Sequence, residues 1–201
     1  MPNDPLLDRL RVSTPRGISA AVRIKTTGTA YGERTVVRID HRLPEPSRDT
    51  HAVFRVTTRE QFLPRAHFDR SVRETINRAA LDRGRRIYAI ELRTQEVMAA
   101  LSYHLHDIPS RPLLITALGT RADTHATPDL YARSLALLWL LKQYAHAISD
   151  RTKRGGYVDI DAANRPDAIA VLHQLGFRDA PRVSGFTPSG RHLRQDATRR
   201  R

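Results

Sequence analysis

The stretch YVDIDAANRPDAIAVLHQLGF, Tyr157–Phe177, decides how the chain is read. Val158 and Ile160 alternate with Asp159 and Asp161, the period-two pattern of a strand. The apolar pair is expected on the core face and the aspartates on the solvent face. Asn164 breaks the run, and Pro166 suits the first position of a helix. Ala168, Ile169, Val171, Leu172 and Leu175 then recur on one helical side, which predicts a helix over Pro166–Leu175. Gly176 can end it in the left-handed conformation, with Phe177 folding back as the apolar contact of that cap.

Upstream, PLLITAL (Pro112–Leu118) reads as a strand and GTRADTHA as a polar loop. Thr127 is a good N-cap, Pro128 fits the first helical position and Asp129 suits the first turn, so a long helix is expected to about Ser149. Strand, helix and strand in that order make a βαβ crossover, and the strands Leu113–Leu118 and Tyr157–Asp161 should start parallel. Before them, RIYAIEL and VMAALSYHLH are joined tightly enough to pair antiparallel. Phe68, Val72, Ile76 and Ala80 repeat every four residues and predict a helix from Phe68 to Gly84.

VRIKTTG and RTVVRIDHRL read as a hairpin around GTAYGE, LPEPSRD as a linker, and HAVFRVTT as a further strand. Residues 1–50 are thus an extension carrying a hairpin, open to three roles: extending the sheet, covering a cleft or forming a homodimer. Residues 51–190 form the main α/β domain. A last strand pair is expected around FRDAPRV and SGFTP, and residues 191–201 are expected to be a basic flexible tail.

The chain has 201 residues, room for one well-buried domain with extensions. Cysteine is absent, which excludes disulfides and thiol nucleophiles. No apolar run is long enough for a membrane span and the N-terminus lacks a signal-peptide pattern, so a cytoplasmic location is expected. The formal net charge is +13, and of 34 basic side chains only Lys25, Lys142 and Lys153 are lysine. Arginine forks suit phosphate or carboxylate, so nucleic acid or an acidic partner is permitted; a basic solvated surface explains the charge equally well. Aromatics number only 12, and none is visibly interleaved with the arginines to stack bases. No Walker loop, HExxH or GxSxG motif is present.

The order of elements, with Asn164 closing a strand and Leu175-Gly176-Phe177 closing the next helix, resembles the GCN5-related N-acetyltransferase (GNAT) superfamily. The likeness covers roughly Val53 to Val183. It implies an α/β fold with a central mixed sheet, mostly antiparallel, containing one splayed parallel pair and flanked by helices. It also implies acyl transfer from acetyl-CoA, or another acyl-CoA, to an amine. The pantetheine arm would pair with the free backbone of the strand ending at Leu118, where the parallel strands part.

The resemblance places pyrophosphate in the loop before the long helix, where the family has a glycine-rich turn. Here Gly119 and Arg121 are present, but no Gly-x-Gly follows. Pro128 lacks a donor and Asp129 is negative. Arg121, His125 and Thr127 are the residues that could hold phosphate, with Asn164 at the end of the neighbouring strand. The family's general acid is a tyrosine eight residues after the Asn; that position is Leu172, and the next residue, His173, is the nearest titratable group. Glu91, His104, His106 and Asp159 are the candidate bases. His104 and His106 share a strand face, but near-neighbours on one strand rarely converge on an ion, so no metal site is expected.

These features point to an acyl-CoA-dependent N-acyltransferase acting on an unidentified amine. The alternative is a catalytically altered protein of the same fold that binds nucleic acid or an acidic partner through its arginines. A variant using a bulkier donor, such as charged tRNA, fits the charge, but no motif demands it.

Overall fold

The computed structural model describes residues 20–29, 32–41, 50–56, 62–82, 85–91, 94, 96–122, 128–162, 166–180 and 191–195. Within them the strands are β1 (Ala20–Thr29), β2 (Gly32–His41), β3 (Thr50–Val56), β4 (Arg85–Glu91), β5 (Val97–His104), β6 (Leu113–Thr120), β7 (Val158–Ala162), β8 (Arg178–Asp179) and β9 (Arg191–Gln195). The helices are α1 (Arg70–Leu81), α2 (Pro128–Arg151) and α3 (Pro166–Gln174). All nine strands join one sheet in the order β1-β2-β3-β4-β5-β6-β7-β9-β8. Every neighbouring pair is antiparallel except β6–β7.

The β1–β2 hairpin continues through β3 into the central strands, so it extends the sheet. Arg191–Gln195, expected as a flexible tail, is instead a strand between β7 and β8. Leu193 explains this: it lies opposite Ile160 and is fully buried in the core. β8 therefore pairs with Arg191–Gln195; the SGFTP segment expected as its partner lies outside the described residues.

The two sheet faces bury different layers. On the back, α2 and α3 pack against Ile87, Ala89, Leu101, Leu113, Ile115, Val158 and Ile160. On the front, α1 packs through Ile76 and Val72 against Tyr88, Ile90, Ala100 and Ala117. α1 starts where Asp69 accepts a hydrogen bond from the Ser71 amide at 2.9 Å. α3 ends as its sequence predicts. Gly176 has φ 93°, its amide donates to His173 O at 2.9 Å, and the Phe177 amide donates to Leu172 O at 3.0 Å.

Asp159 corrects the expectation of a solvent-facing carboxylate. It is only 1% exposed, while Asp161 is half-buried. Asp159 lies on an interior strand, between Leu114 of β6 and Arg194 of β9 in register.

Candidate functional site: a fork in the sheet

β6 and β7 run parallel for three matched pairs, Leu113–Val158, Leu114–Asp159 and Ile115–Ile160. They then separate. β7 continues to Ala162 along β9, and β6 continues to Thr120 along β5. From Thr116 to Gly119 no strand among the described residues lies against the outer edge of β6.

The fork is bounded at both ends. At its apex, the ladder of β5 and β6 slips between Ser102 and Tyr103: Ser102 faces Ala117 while Tyr103 faces Ile115. Thr116 is thus the extra residue of a bulge, which bends and twists β6 where β7 leaves it. At the far end, Phe68 bridges to Arg121. The Arg121 amide donates to Met98 O at 3.0 Å on the β5 side, and the Ala122 amide donates to His67 O at 2.9 Å. Successive backbone groups in a strand point to opposite edges. Arg121 and Gly119 therefore point toward β5, and Leu118 presents its N–H and C=O to the gap.

The closed end of the fork is fastened by Arg154, buried in the α2–β7 connection. Its guanidinium donates to Ile108 O at 3.0 Å, to Arg111 O at 2.8 Å and to His106 O, all in the β5–β6 loop. The Ser149 hydroxyl and the Leu113 amide both donate to Tyr157 O, at 2.7 and 3.2 Å.

Of the expected cofactor residues, Leu118 presents its backbone to the open edge, while Gly119 beside it turns its own toward β5. Gly119 has a packing reason to be glycine: a Cβ there would stand 2.8 Å from Val72 Cγ1 on α1. Arg121 stands at the end of β6, 9% exposed, and pairs with the half-exposed Glu96. His125, Thr127 and Asn164 lie outside the described residues.

The expected acid–base residues do not gather at one point. His104 sits on the front face, paired with Leu114 just before the apex, and is exposed. Its ring meets that of His106 edge-on at 5.0 Å. Burial, then His104, Arg111 and Arg154, hold His106 below the ordinary histidine range, against the opposing pull of Asp107. Glu91 ends β4 and accepts from the Thr94 hydroxyl at 2.5 Å. It lies near the start of β5, and the eight-residue length of Val97–His104 puts it about 20 Å from His104. His173 is on α3, against the back layer, with its Nε2 buried.

Polar residues not singled out in the sequence also occupy the front face. Ser102 and Thr116 bring their hydroxyls to 2.7 Å at the apex. Arg86, opposite Ser102 on β4, is 1% exposed and donates to Tyr88 Oη at 2.9 Å. Each interrupts a mainly apolar run, a signal readable in VMAALSYH, LLITAL and RRIYAI.

No protein-family model and no curated protein matches the sequence. Among solved structures, the chain is similar to a mutant of the toxin AtaT bound to the C-terminus of the antitoxin AtaR. The TM-score is 0.50 at 9% identity, covering 72% of this chain and 92% of that one. The same complex with acetyl-CoA matches with the same values. Tetrahymena GCN5 matches with a TM-score of 0.46 at 17% identity, covering 61% of this chain and 74% of that chain. The chain has a GNAT-like fold.

Leu172, eight residues after Asn164, is buried in the back core. Pro128 opens α2. No helix among the described residues of this GNAT-like fold is long and apolar enough to cross a membrane.

Proposed function

We propose that the chain is an acyl-CoA-dependent N-acyltransferase, with acetyl-CoA as donor and an amine as acceptor. One observation carries the reading: the outer edge of β6 from Thr116 to Gly119, left without a strand between the Ile115–Ile160 pair and the Phe68–Arg121 bridge. Main-chain donors and acceptors in a sheet require partners. The amides of a pantetheine arm are of the right kind to pair with Leu118 as an added strand would.

In this reading Leu118 and Gly119 line the arm. Arg121, His125 and Thr127 serve the phosphates beyond the end of β6, and Asn164 closes the β7 side. The thioester then lies toward the apex. His104, on the front face two residues from Ser102, is the base the geometry favours for taking a proton from the amine. Glu91 at the other end of the sheet and His173 behind it remain candidate acid–base groups with a longer path to the apex.

The Arg121–Glu96 pair favours a second reading, a catalytically altered protein of this fold that binds an acidic partner or nucleic acid. An arginine already holding a carboxylate is less available to pyrophosphate, and the net charge of +13 suits a polyanion.

Thermal unfolding with and without acetyl-CoA separates the two. The acyltransferase reading expects the melting temperature to rise with acetyl-CoA concentration by mass action. A melting temperature unmoved by saturating acetyl-CoA, alongside salt-sensitive binding of nucleic acid, supports the second reading.

A further inference from the structure

The sheet ends in two unlike edges. β8 at one end has two residues, short as unpaired edges usually are. β1 at the other has ten, and among the described residues no strand lies on its outer side. An antiparallel strand turns the N–H and C=O of every second residue to each side. Half of β1 therefore offers main-chain donors and acceptors at the edge, over roughly 30 Å.

The residues at this end of the sheet are sorted by face. Register places Arg23 opposite Arg38, Lys25 opposite Val36 and Thr27 opposite Arg34. Through Ala52 and Phe54 of β3 the last two rows continue to Ile90 and Tyr88, on the front of the sheet. Val22 opposite Ile39 and Ile24 opposite Val37 occupy the alternate rows, on the back. Arg23, Lys25, Arg34 and Arg38 thus share the front of the hairpin with one carboxylate residue, Asp40. Arginine directly opposite arginine costs stability rather than adding it. A cation on an edge strand deters chance pairing, which accounts for Arg23 and Lys25. It does not account for Arg34 and Arg38, one strand further in.

We propose that β1 takes an extended acidic segment of another protein as a tenth strand. The carboxylates of that segment lie on the front beside the four cations. Its alternate residues are apolar and continue the rows of Val22 and Ile24 on the back. The proposal is independent of what the fork binds, since four strands separate β1 from β6.

Charge and main chain together decide between the occupants such an edge could accept. A second copy related by a two-fold axis would pair antiparallel. With the axis at Arg23, Ile24 or Lys25, its cations would stand directly opposite those of the first copy. A nucleic acid would answer the charge but not the edge, because a phosphodiester chain has no N–H groups for the open carbonyls. Neither β1 nor β2 contains a Phe, Tyr or Trp on which bases could stack. An acidic strand satisfies both the cations and the main chain.

The test uses the full chain and a labelled peptide alternating glutamate and valine, with binding read by fluorescence anisotropy. The peptide is expected to bind, more weakly as salt is raised, and its lysine–valine counterpart is expected not to bind. Arg23→Glu with Lys25→Glu should weaken the glutamate peptide several-fold and admit the lysine peptide, a gain that only a folded variant can show. Two further peptides are methylated on the main-chain nitrogens of every glutamate or of every valine. One of these phases faces β1 and should abolish binding, and the other should leave it. Equal behaviour of the two methylated peptides, or no binding of the unmethylated one, overturns the proposal. So does a dimer of the free protein that excludes the peptide, which gives the edge to a second copy. A single-stranded oligonucleotide bound more tightly than the peptide through Arg23 and Lys25 overturns it in favour of nucleic acid. Acetyl-CoA binding, measured alongside, bears on the fork alone, so the two readings fail separately.

Discussion

Ile115 and Ile160 form the last matched pair of β6 and β7, and both side chains are buried against the back helices. The strands are therefore locked at the apex and free of each other immediately beyond it. The outward backbone of Leu118 is the group this arrangement exposes. Leu118→Pro removes that N–H without touching a bond to β5, and proline is tolerated where a strand edge has no partner. We expect the variant to bind acetyl-CoA about fivefold more weakly, the value of one lost hydrogen bond. Leu118→Ala, which keeps the N–H, should bind acetyl-CoA nearly as the parent does. Calorimetry on both variants distinguishes a backbone contact from a side-chain one.

Glu96 and a phosphate would compete for the same guanidinium. Glu96→Gln is expected to raise the affinity for acetyl-CoA and Arg121→Ala to lower it. Glu96→Gln should destabilise the fold by about 1–3 kcal/mol in urea unfolding, because the largely buried Arg121 loses its charged partner, whereas the half-exposed Glu96 left by Arg121→Ala can be hydrated. Equal acetyl-CoA affinities in all three proteins would assign the pair a purely structural role.

Gly119 and Val72 should behave as one unit. Gly119→Ala places a methyl 2.8 Å from Val72 Cγ1, and a branched side chain close to the helix backbone has little room to yield. A loss of about 1–3 kcal/mol is expected from such overpacking. Adding Val72→Ala should recover part of it, so the double-mutant cycle shows strong coupling. Additive losses would refute the contact.

Lys142, 1% exposed on α2, donates from Nζ to Leu175 O and lies 5.9 Å from the Phe177 ring centroid. Burial lowers its pKa from 10.5 to about 7. Between those values the unfolded chain holds the proton more tightly than the folded one. The contribution of Lys142 to stability therefore rises with pH from about 7 to 10.5 and is flat below about 7. Its full extent is on the order of a few kcal/mol. Urea midpoints across this range should climb in the parent protein and climb less in Lys142→Met. Identical profiles would mean the amine is not buried in solution.

What the sequence revealed and what it hid have separate physical causes. The α3 cap was legible because Leu175, Gly176 and Phe177 are a local code: left-handed φ at a glycine and an apolar contact one residue on. The fork was legible as topology, since a helix between two strands forces them to start parallel. The bulge at Thr116 was not, because one extra residue in a ladder changes no composition. β9 was missed because RHLRQ carries a single apolar residue, and only its place between β7 and β8 makes Leu193 a core residue. Asp159 was misread for the same reason: its neighbours across the sheet, rather than along the chain, decide its burial. Ser102 was visible as a lone hydroxyl in an apolar strand, but its partner lies fourteen residues away, and that link exists only in three dimensions.

Arg154 holds three carbonyls of one loop from the root of another. The two strands are thus pinned where they part, and β6 is pinned again at its far end by the Phe68–Arg121 bridge. A slot held at both ends keeps its width whether or not anything lies in it, so a ligand must match the gap rather than spread it.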